Sequence, residues 1–261
     1  MKGVTAMKTI PETYLTPCAN PGEVVSLPYG KKFVLLYTPA LPASRILYLI
    51  HGGGGNQHSF FCPRFLNMID YMIADGVMEP IYMVSPCFYD PDETDKTPPS
   101  SGRAVKKFCS ELRSEIIPLA EGRTGKTFTR NERLISGFSM GGVTTWYAFL
   151  QALDLFSSFL PLSGDCWAFG EKGGGDHSEE TAAWLAETAR EQALPFYIHA
   201  ITGDKDIAYP NLDPQMKAME KYPDVFKGHV DYDVLPGGVH DYETIFRYLY
   251  NALPPALTRP L

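Results

Sequence analysis

A serine hydroxyl beside an imidazole, with a carboxylate behind the imidazole and bare backbone facing the serine, can carry an acyl group from one oxygen to another. This 261-residue chain holds a candidate for each part. Gly137, Ser139 and Gly141 match a G-x-S-x-G nucleophile elbow. The spacing has a physical cause. A strand that reverses into a helix within a few residues strains its apex, so the flanking positions must lack side chains. The apex oxygen then stands at the carboxyl edge of a sheet, where the amides of the first helical turn favour a developing oxyanion. Residues 133–136 (RLIS) before the serine supply the end of a strand with an apolar centre. Val143, Trp146, Tyr147 and Leu150, at helical spacing after it, supply the helix.

Near neutral pH a serine needs an adjacent base. The histidines are His51, His58, His177, His199, His229 and His240. His199 lies inside an apolar strand and reads as a satisfied core residue. His177 sits in a polar loop, and His58 and His229 open predicted elements with nothing else to mark them. His240 follows the last predicted strand behind two glycines, where a loop can bring its ring over the carboxyl edge. It is the expected base. In the chain order serine, acid, histidine, the acid lies between Ser139 and His240, and Asp165, Asp204 and Asp206 each follow a strand. Asp204, next to Gly203, reads as a turn residue bonding its own backbone. Asp165 either serves as the acid or shapes the pocket. Asp206, deeper in the loop one strand before His240, is the expected acid. The oxyanion needs two converging N–H groups, each worth about 3 kcal/mol of barrier. Met140 offers one. The glycine run 52–55 after His51 offers the other, Gly53 first and Gly54 second.

These groups need a scaffold that brings strand ends together. The β-rich runs 31–38 (KKFVLLYT) and 45–50 (RILYLI), separated by a Pro-containing turn, predict an antiparallel pair at the sheet edge, after an irregular lead-in with a short strand near Val24. A helix over 60–74 and a strand over 81–85 follow. Residues 86–101 form a loop rich in Pro, Asp and Thr, long enough to rim a binding site. Then come a helix over 102–117, the elbow, and a strand over 156–162. A Gly-rich, mobile segment over 171–178 leads to a helix over 179–192 and a strand over 195–202. A short helix over 214–221 and a strand over 229–235 precede the last helix, whose apolar face carries Tyr242, Ile245, Phe246 and Leu249. Helices alternating with strands predict one α/β domain over 1–261, a mostly parallel sheet covered on both faces.

Composition narrows the function. Hydrophobic residues make up 44% and no linker divides the chain, so one large core can form. A net charge of −7 argues against a nucleic-acid partner, and no apolar run reaches the length of a bilayer span. Residues 1–16 lack the apolar stretch of a secretory signal, which leaves either a cytoplasmic protein or a module of a longer secreted one. The five cysteines show no metal-finger spacing, and Cys109 falls on an apolar stripe with Val105, Phe108, Leu112 and Ile116, while one disulfide among the others stays open. Residues 120–127 (AEGRTGKT) loosely match a phosphate-binding loop, but a helix precedes them and a strand follows, the reverse of what helix amides facing phosphate require. Asp204-Lys205-Asp206 lacks the glycine and the bidentate glutamate of a calcium loop. No metal or cofactor is expected.

Taken together, residues 51–55 (HGGGG), 137–142 (GFSMGG), 203–206 (GDKD) and 237–241 (GGVHD) resemble the esterase group of α/β-hydrolases. That group includes the family 1 carbohydrate esterases, the feruloyl and acetyl xylan esterases of plant cell-wall degraders. The likeness runs from about Phe33 to Leu253, and its most specific pieces are G-F-S-M-G-G and G-G-x-H-D. It implies the α/β-hydrolase fold and two-step acyl transfer, with the acid at the end of a G-x-x-D segment, which maps onto Asp206. Formylglutathione hydrolases and mycolyl transferases share the motifs, so the motifs fix mechanism more firmly than substrate. Trp167 and Phe169 beyond the strand after the elbow, and Phe88 and Tyr89 in the long loop, suit a phenolic acyl group or a sugar face. Trp167, Asp165 and Gly54 are the expected substrate contacts. The expected substrate is a feruloyl ester on a xylan side chain (feruloylated arabinoxylan), with an acetyl ester as the alternative. A sugar-binding module with a vestigial elbow is the reading from another class.

Overall fold

The computed structural model describes residues 7–259, so positions 1–6 of the stretch 1–16 lie outside the described residues. One eight-stranded sheet organises them, in the order β1-β2-β4-β3-β5-β6-β7-β8. The strands are β1 (Glu23–Tyr29), β2 (Lys32–Thr38), β3 (Arg45–Ile50), β4 (Ile81–Ser85), β5 (Arg133–Phe138), β6 (Ser158–Leu162), β7 (Tyr197–Gly203) and β8 (Val230–Leu235). From β4 to β8 all neighbours run parallel, while β1 pairs antiparallel with β2 and β2 antiparallel with β4. The helices are α1 (Pro63–Ala74), α2 (Pro98–Glu111), α3 (Ile117–Thr124), α4 (Met140–Gln151), α5 (Gly173–Asp176), α6 (Ser178–Gln192), α7 (Tyr209–Met219), α8 (Pro223–Phe226) and α9 (Tyr242–Thr258). Side chains of α1 and α9 pack on one face of the sheet, and those of α2, α4 and α6 on the other. Strands buried on both faces carry no polar side to show, which is why β3, β4 and β6 read as unbroken apolar runs. The mostly parallel α/β sheet is as the sequence predicts.

The edge pairing differs from the expectation. β2 and β3 are not neighbours, because β4 lies between them. Closeness in sequence favours a hairpin, but residues 46–50 of β3 are fully buried, and parallel partners on both sides, β4 and β5, accomplish that burial. The segment 171–178 also departs from a mobile loop. It contains α5, where a Cβ on Gly174 would meet Asp165 Cβ at 2.7 Å, so its glycines serve close packing. The helix expected over 102–117 begins earlier, at Pro98. Proline is tolerated in a first turn because its missing N–H has no intrahelical partner there. Likewise α7 opens at Tyr209, with Pro210 in its first turn. All five cysteines are free, and Cys109 is buried in the core.

The turn from β5 into α4 explains its glycines. Ser139 adopts φ 55° and ψ −114°, a conformation costing a non-glycine residue on the order of 1–3 kcal/mol. Around it backbones touch. A Cβ on Gly141 would drive into the Ile50 carbonyl oxygen, and one on Gly137 into the Gly141 backbone. A Cβ on Gly142 would stand 2.9 Å from the Leu162 oxygen. The elbow is therefore wedged between the carboxyl ends of β3 and β6. Gly141→Ala is expected to abolish folding or to destabilise by more than ~3 kcal/mol in denaturant titration. Gly122→Ala, in a helix with nothing within 4 Å of the new methyl, should be neutral or stabilise by up to about 1 kcal/mol.

Candidate active site

The elbow presents Ser139 at the sheet's carboxyl edge, and two loops close over it. His240 follows β8 in a turn in which Gly237 takes φ 74°. Asp206 follows β7, and a Cβ on Gly203 would collide with the Gly238 backbone, so the two loops lie backbone against backbone. Asp204 strengthens that seam by accepting a hydrogen bond from the Gly237 N–H at 2.7 Å, and the Lys205 N–H donates to the Gly238 oxygen at 3.1 Å. Asp204 thus bonds the neighbouring loop, not its own backbone as expected from the sequence. The result is a line of three side chains. His240 Nε2 lies 2.9 Å from Ser139 Oγ, and His240 Nδ1 lies 2.7 Å from Asp206 Oδ1. A carboxylate only accepts, so Nδ1 carries the proton and Nε2 is free to take one from the serine. The Asp206 side chain is 0% exposed and that of His240 21%, which leaves the ring reachable and its anchor dry. Asp206 Oδ1 also accepts the Ala208 N–H at 2.8 Å, which aims the carboxylate.

Asp165 has a different surrounding. Its Oδ1 accepts the Trp167 indole N–H at 3.1 Å and its Oδ2 the Gly174 N–H at 3.0 Å. Burial pushes its carboxyl above the usual range, partly offset by those two donors. It fixes Trp167, and α4 supports the same wall through Tyr147, whose hydroxyl donates to the Trp167 oxygen at 2.8 Å. His199 is a core residue as expected, its Nε2 2.9 Å from Asp233 Oδ2, but it is only half satisfied, since its buried Nδ1 has no hydrogen-bond partner among the described residues. His51 is buried and stacked on Phe88, and burial lowers its pKa to about 4. Neutral, it donates from Nδ1 to the Gly52 oxygen at 2.7 Å, while Nε2 faces Cys87 Sγ at 3.3 Å. Burial raises the Cys87 thiol, which keeps its proton available to that nitrogen.

Ser139 and His240 open into a cavity of about 500 Å³. Met140, Gly53, Trp167 and Asp165 line it too. Gly54 does not, since its N–H is taken by the Tyr89 hydroxyl at 3.0 Å. The other aromatic cues also fall elsewhere. Phe88 and Tyr89 are buried beside His51, and Phe169 packs edge-on against Trp184 at 5.5 Å. Sequence reasoning missed Ser163, at φ 48°, and Ile207, 72% exposed at the cavity. An apolar residue directly after the Asp-Lys-Asp turn is the one signal that marks Ile207. For Ser163 the sequence gives none, because its strain arises from tertiary packing.

A family profile described as "Putative esterase" matches residues 46–258. The chain is 32% identical to endo-1,4-beta-xylanase Y of Acetivibrio thermocellus over 273 aligned positions, which cover 94% of this chain. It spans about a quarter of that relative's length (24%). Among solved structures, a serine-to-alanine mutant of the feruloyl esterase module from Clostridium thermocellum, complexed with sinapinate, superposes with a TM-score of 0.84. The two share 31% identity over 97% of this chain and 94% of that one. A ferulic acid esterase from the anaerobic fungus Anaeromyces mucronatus, 18% identical, shares the fold with a TM-score of 0.75 over 97% of both chains.

The two aspartates separate by kinetics. Asp206→Asn should keep the fold and cut kcat by roughly 10³–10⁴-fold. Asp165→Asn should act chiefly on KM, by a factor of about ten or less, through a loosened Trp167. Steady-state kinetics that reversed the two would reassign the acid. His51 sets a pH dependence of stability. Its ordinary value of 6.5 is lowered to about 4 in the folded state, so the unfolded chain binds the proton first as pH falls. Stability should therefore drop between pH 6.5 and about 4, by on the order of 3 kcal/mol from this group. Denaturant midpoints across that range should fall less steeply in His51→Gln.

Proposed function

The chain belongs to the esterase family of α/β-hydrolases, and on that premise we propose that Ser139, His240 and Asp206 are its catalytic triad and that it releases hydroxycinnamic acids from plant cell-wall xylan. It is a serine esterase. The hydrogen-bonded line from Asp206 through His240 to Ser139, at a cavity walled by Trp167, is the observation that carries the mechanism. Ser139 attacks the ester carbonyl as His240 Nε2 takes its proton. The oxyanion is held by the amides of Met140, at the start of α4, and Gly53. As the tetrahedral intermediate collapses and its bond to the sugar oxygen breaks, His240 gives the proton to that oxygen, which leaves as a hydroxyl, and a feruloyl ester remains on Ser139. Water, activated by the same ring, hydrolyses it. Asp206 keeps the imidazole in the reactive tautomer and stabilises its cation.

The substrate reading draws on the relatives as well as the cavity. A feruloyl esterase module complexed with sinapinate is 31% identical across 97% of this chain, and the curated relative that shares 32% identity is named a xylanase. A cavity of about 500 Å³ with an indole in its wall suits a flat phenolic acyl group. The ester-bearing partner is then feruloylated arabinoxylan, and the enzyme works where that polymer lies, outside the cell. No helix among the described residues is long and apolar enough to cross a membrane.

Comparison of methyl ferulate, para-nitrophenyl acetate and acetylated xylan tests this. Turnover of methyl ferulate should exceed that of acetylated xylan by about 10²-fold in kcat/KM, a difference of about 3 kcal/mol in transition-state binding. Ser139→Ala should remove nearly all of it while leaving the fold intact. Equal rates on the ferulate and acetate esters would refute the feruloyl assignment, and xylo-oligosaccharide binding without any hydrolysis would favour a non-catalytic module.

A further inference from the structure

Four consecutive glycines form the oxyanion loop after β3, and a run so free of side chains has no intrinsic reason to hold one amide in one direction. The neighbouring bonds supply that reason. The Gly52 N–H donates to the Tyr242 hydroxyl at 3.2 Å, and the Gly54 N–H donates to the Tyr89 hydroxyl at 3.0 Å. The Gly55 N–H closes a turn on the Gly52 oxygen at 3.1 Å. His51 Nδ1 donates to that same oxygen. Of the four amides, only that of Gly53 has no acceptor in the protein, and Gly53 lines the cavity beside Ser139 and Met140. Because the peptide unit is planar and trans, fixing the Gly52 carbonyl on one side fixes the Gly53 N–H on the other.

We propose that Tyr89 and Tyr242 are positioning residues for the reaction, clamping the peptide units before and after the Gly52–Gly53 unit so that the Gly53 amide faces the oxyanion. This rests on the esterase reading above and adds residues that touch no substrate. Each tyrosine is itself held. The Tyr89 hydroxyl donates a hydrogen bond to Ser101 Oγ at 2.6 Å, and Ser101 donates in turn to the Lys96 oxygen at 3.3 Å. Hydrogen bonds aligned head to tail in this way polarise one another. The Tyr242 ring stands edge-on to Phe60 at 5.3 Å and to Phe138 at 5.0 Å, and Phe138 immediately precedes the nucleophile. One clamp thus comes from the β4–α2 connection and the other from α9, so the loop is braced by two parts of the chain far apart in sequence.

The test is Tyr89→Phe and Tyr242→Phe, which keep the rings and remove the acceptors. Each should lower kcat on para-nitrophenyl acetate about tenfold, with KM changed less than about twofold. A boronic acid that forms a tetrahedral adduct on Ser139 should lose affinity by the same factor, whereas the affinity for ferulate, a ground-state ligand, should hold. A purely structural role would lower Tm without that parallel between kcat and boronate affinity. Unchanged kcat in both variants, or a kcat loss with boronate affinity intact, overturns the proposal alone. Wild-type protein inert towards para-nitrophenyl acetate and methyl ferulate overturns the esterase reading and the proposal with it.

Discussion

Backbone meets backbone where α4 begins, and the distance between Gly141 and the carboxyl end of β3 governs the whole site. Only a hydrogen in place of a side chain lets the first turn of α4 lie on the Ile50 carbonyl. That approach holds Ser139 in its strained conformation, points the early amides of α4 at the cavity, and brings the glycine run after β3 alongside Met140. The strain is sustained because both faces of the sheet around it are packed, with Ile50, Leu162 and Val143 all buried. A looser core would let the turn relax and the hydroxyl swing away from the imidazole.

The loops that carry Asp206 and His240 obey the same rule. Gly203 and Gly238 allow them to touch along the main chain, and Asp204 ties the seam. Joined along the main chain, the two loops form one packed body that sets the separation of His240 from Asp206. Phe138 connects this body to the rest, with its ring 4.6 Å from that of His240 and 5.0 Å from that of Tyr242.

How much of this was legible in the chain depends on whether a constraint is local. The glycines of the elbow and Gly238 mark close backbone approach, while Gly54 and Gly237 mark left-handed turns, and both demands leave glycine in the sequence. Alternation of helical and extended patterns likewise gave the parallel sheet. The place of β4 between β2 and β3 was not legible, because burial of β3 is satisfied by whichever strands flank it, and only the assembled sheet chooses. The Gly-rich segment near Gly174 looked mobile for a similar reason: the residues that fill the space around it, Asp165 and Gln215, come from other elements. Tyr89 looked like a substrate contact by its residue type and loop. Its ring lies instead behind the glycines, where a hydroxyl acceptor is of more use than an aromatic face.

At the mouth of the cavity Ile207 keeps 72% of its surface in water, beside a carboxylate that is wholly dry. A solvated aliphatic group on a doorway is an unrelieved hydration cost in the empty enzyme, and any guest that covers it releases about 1–2 kcal/mol. The phenolic acyl group proposed above would cover Ile207 on its way to Ser139, drying the threshold first. A smaller or more polar guest would gain less from that release.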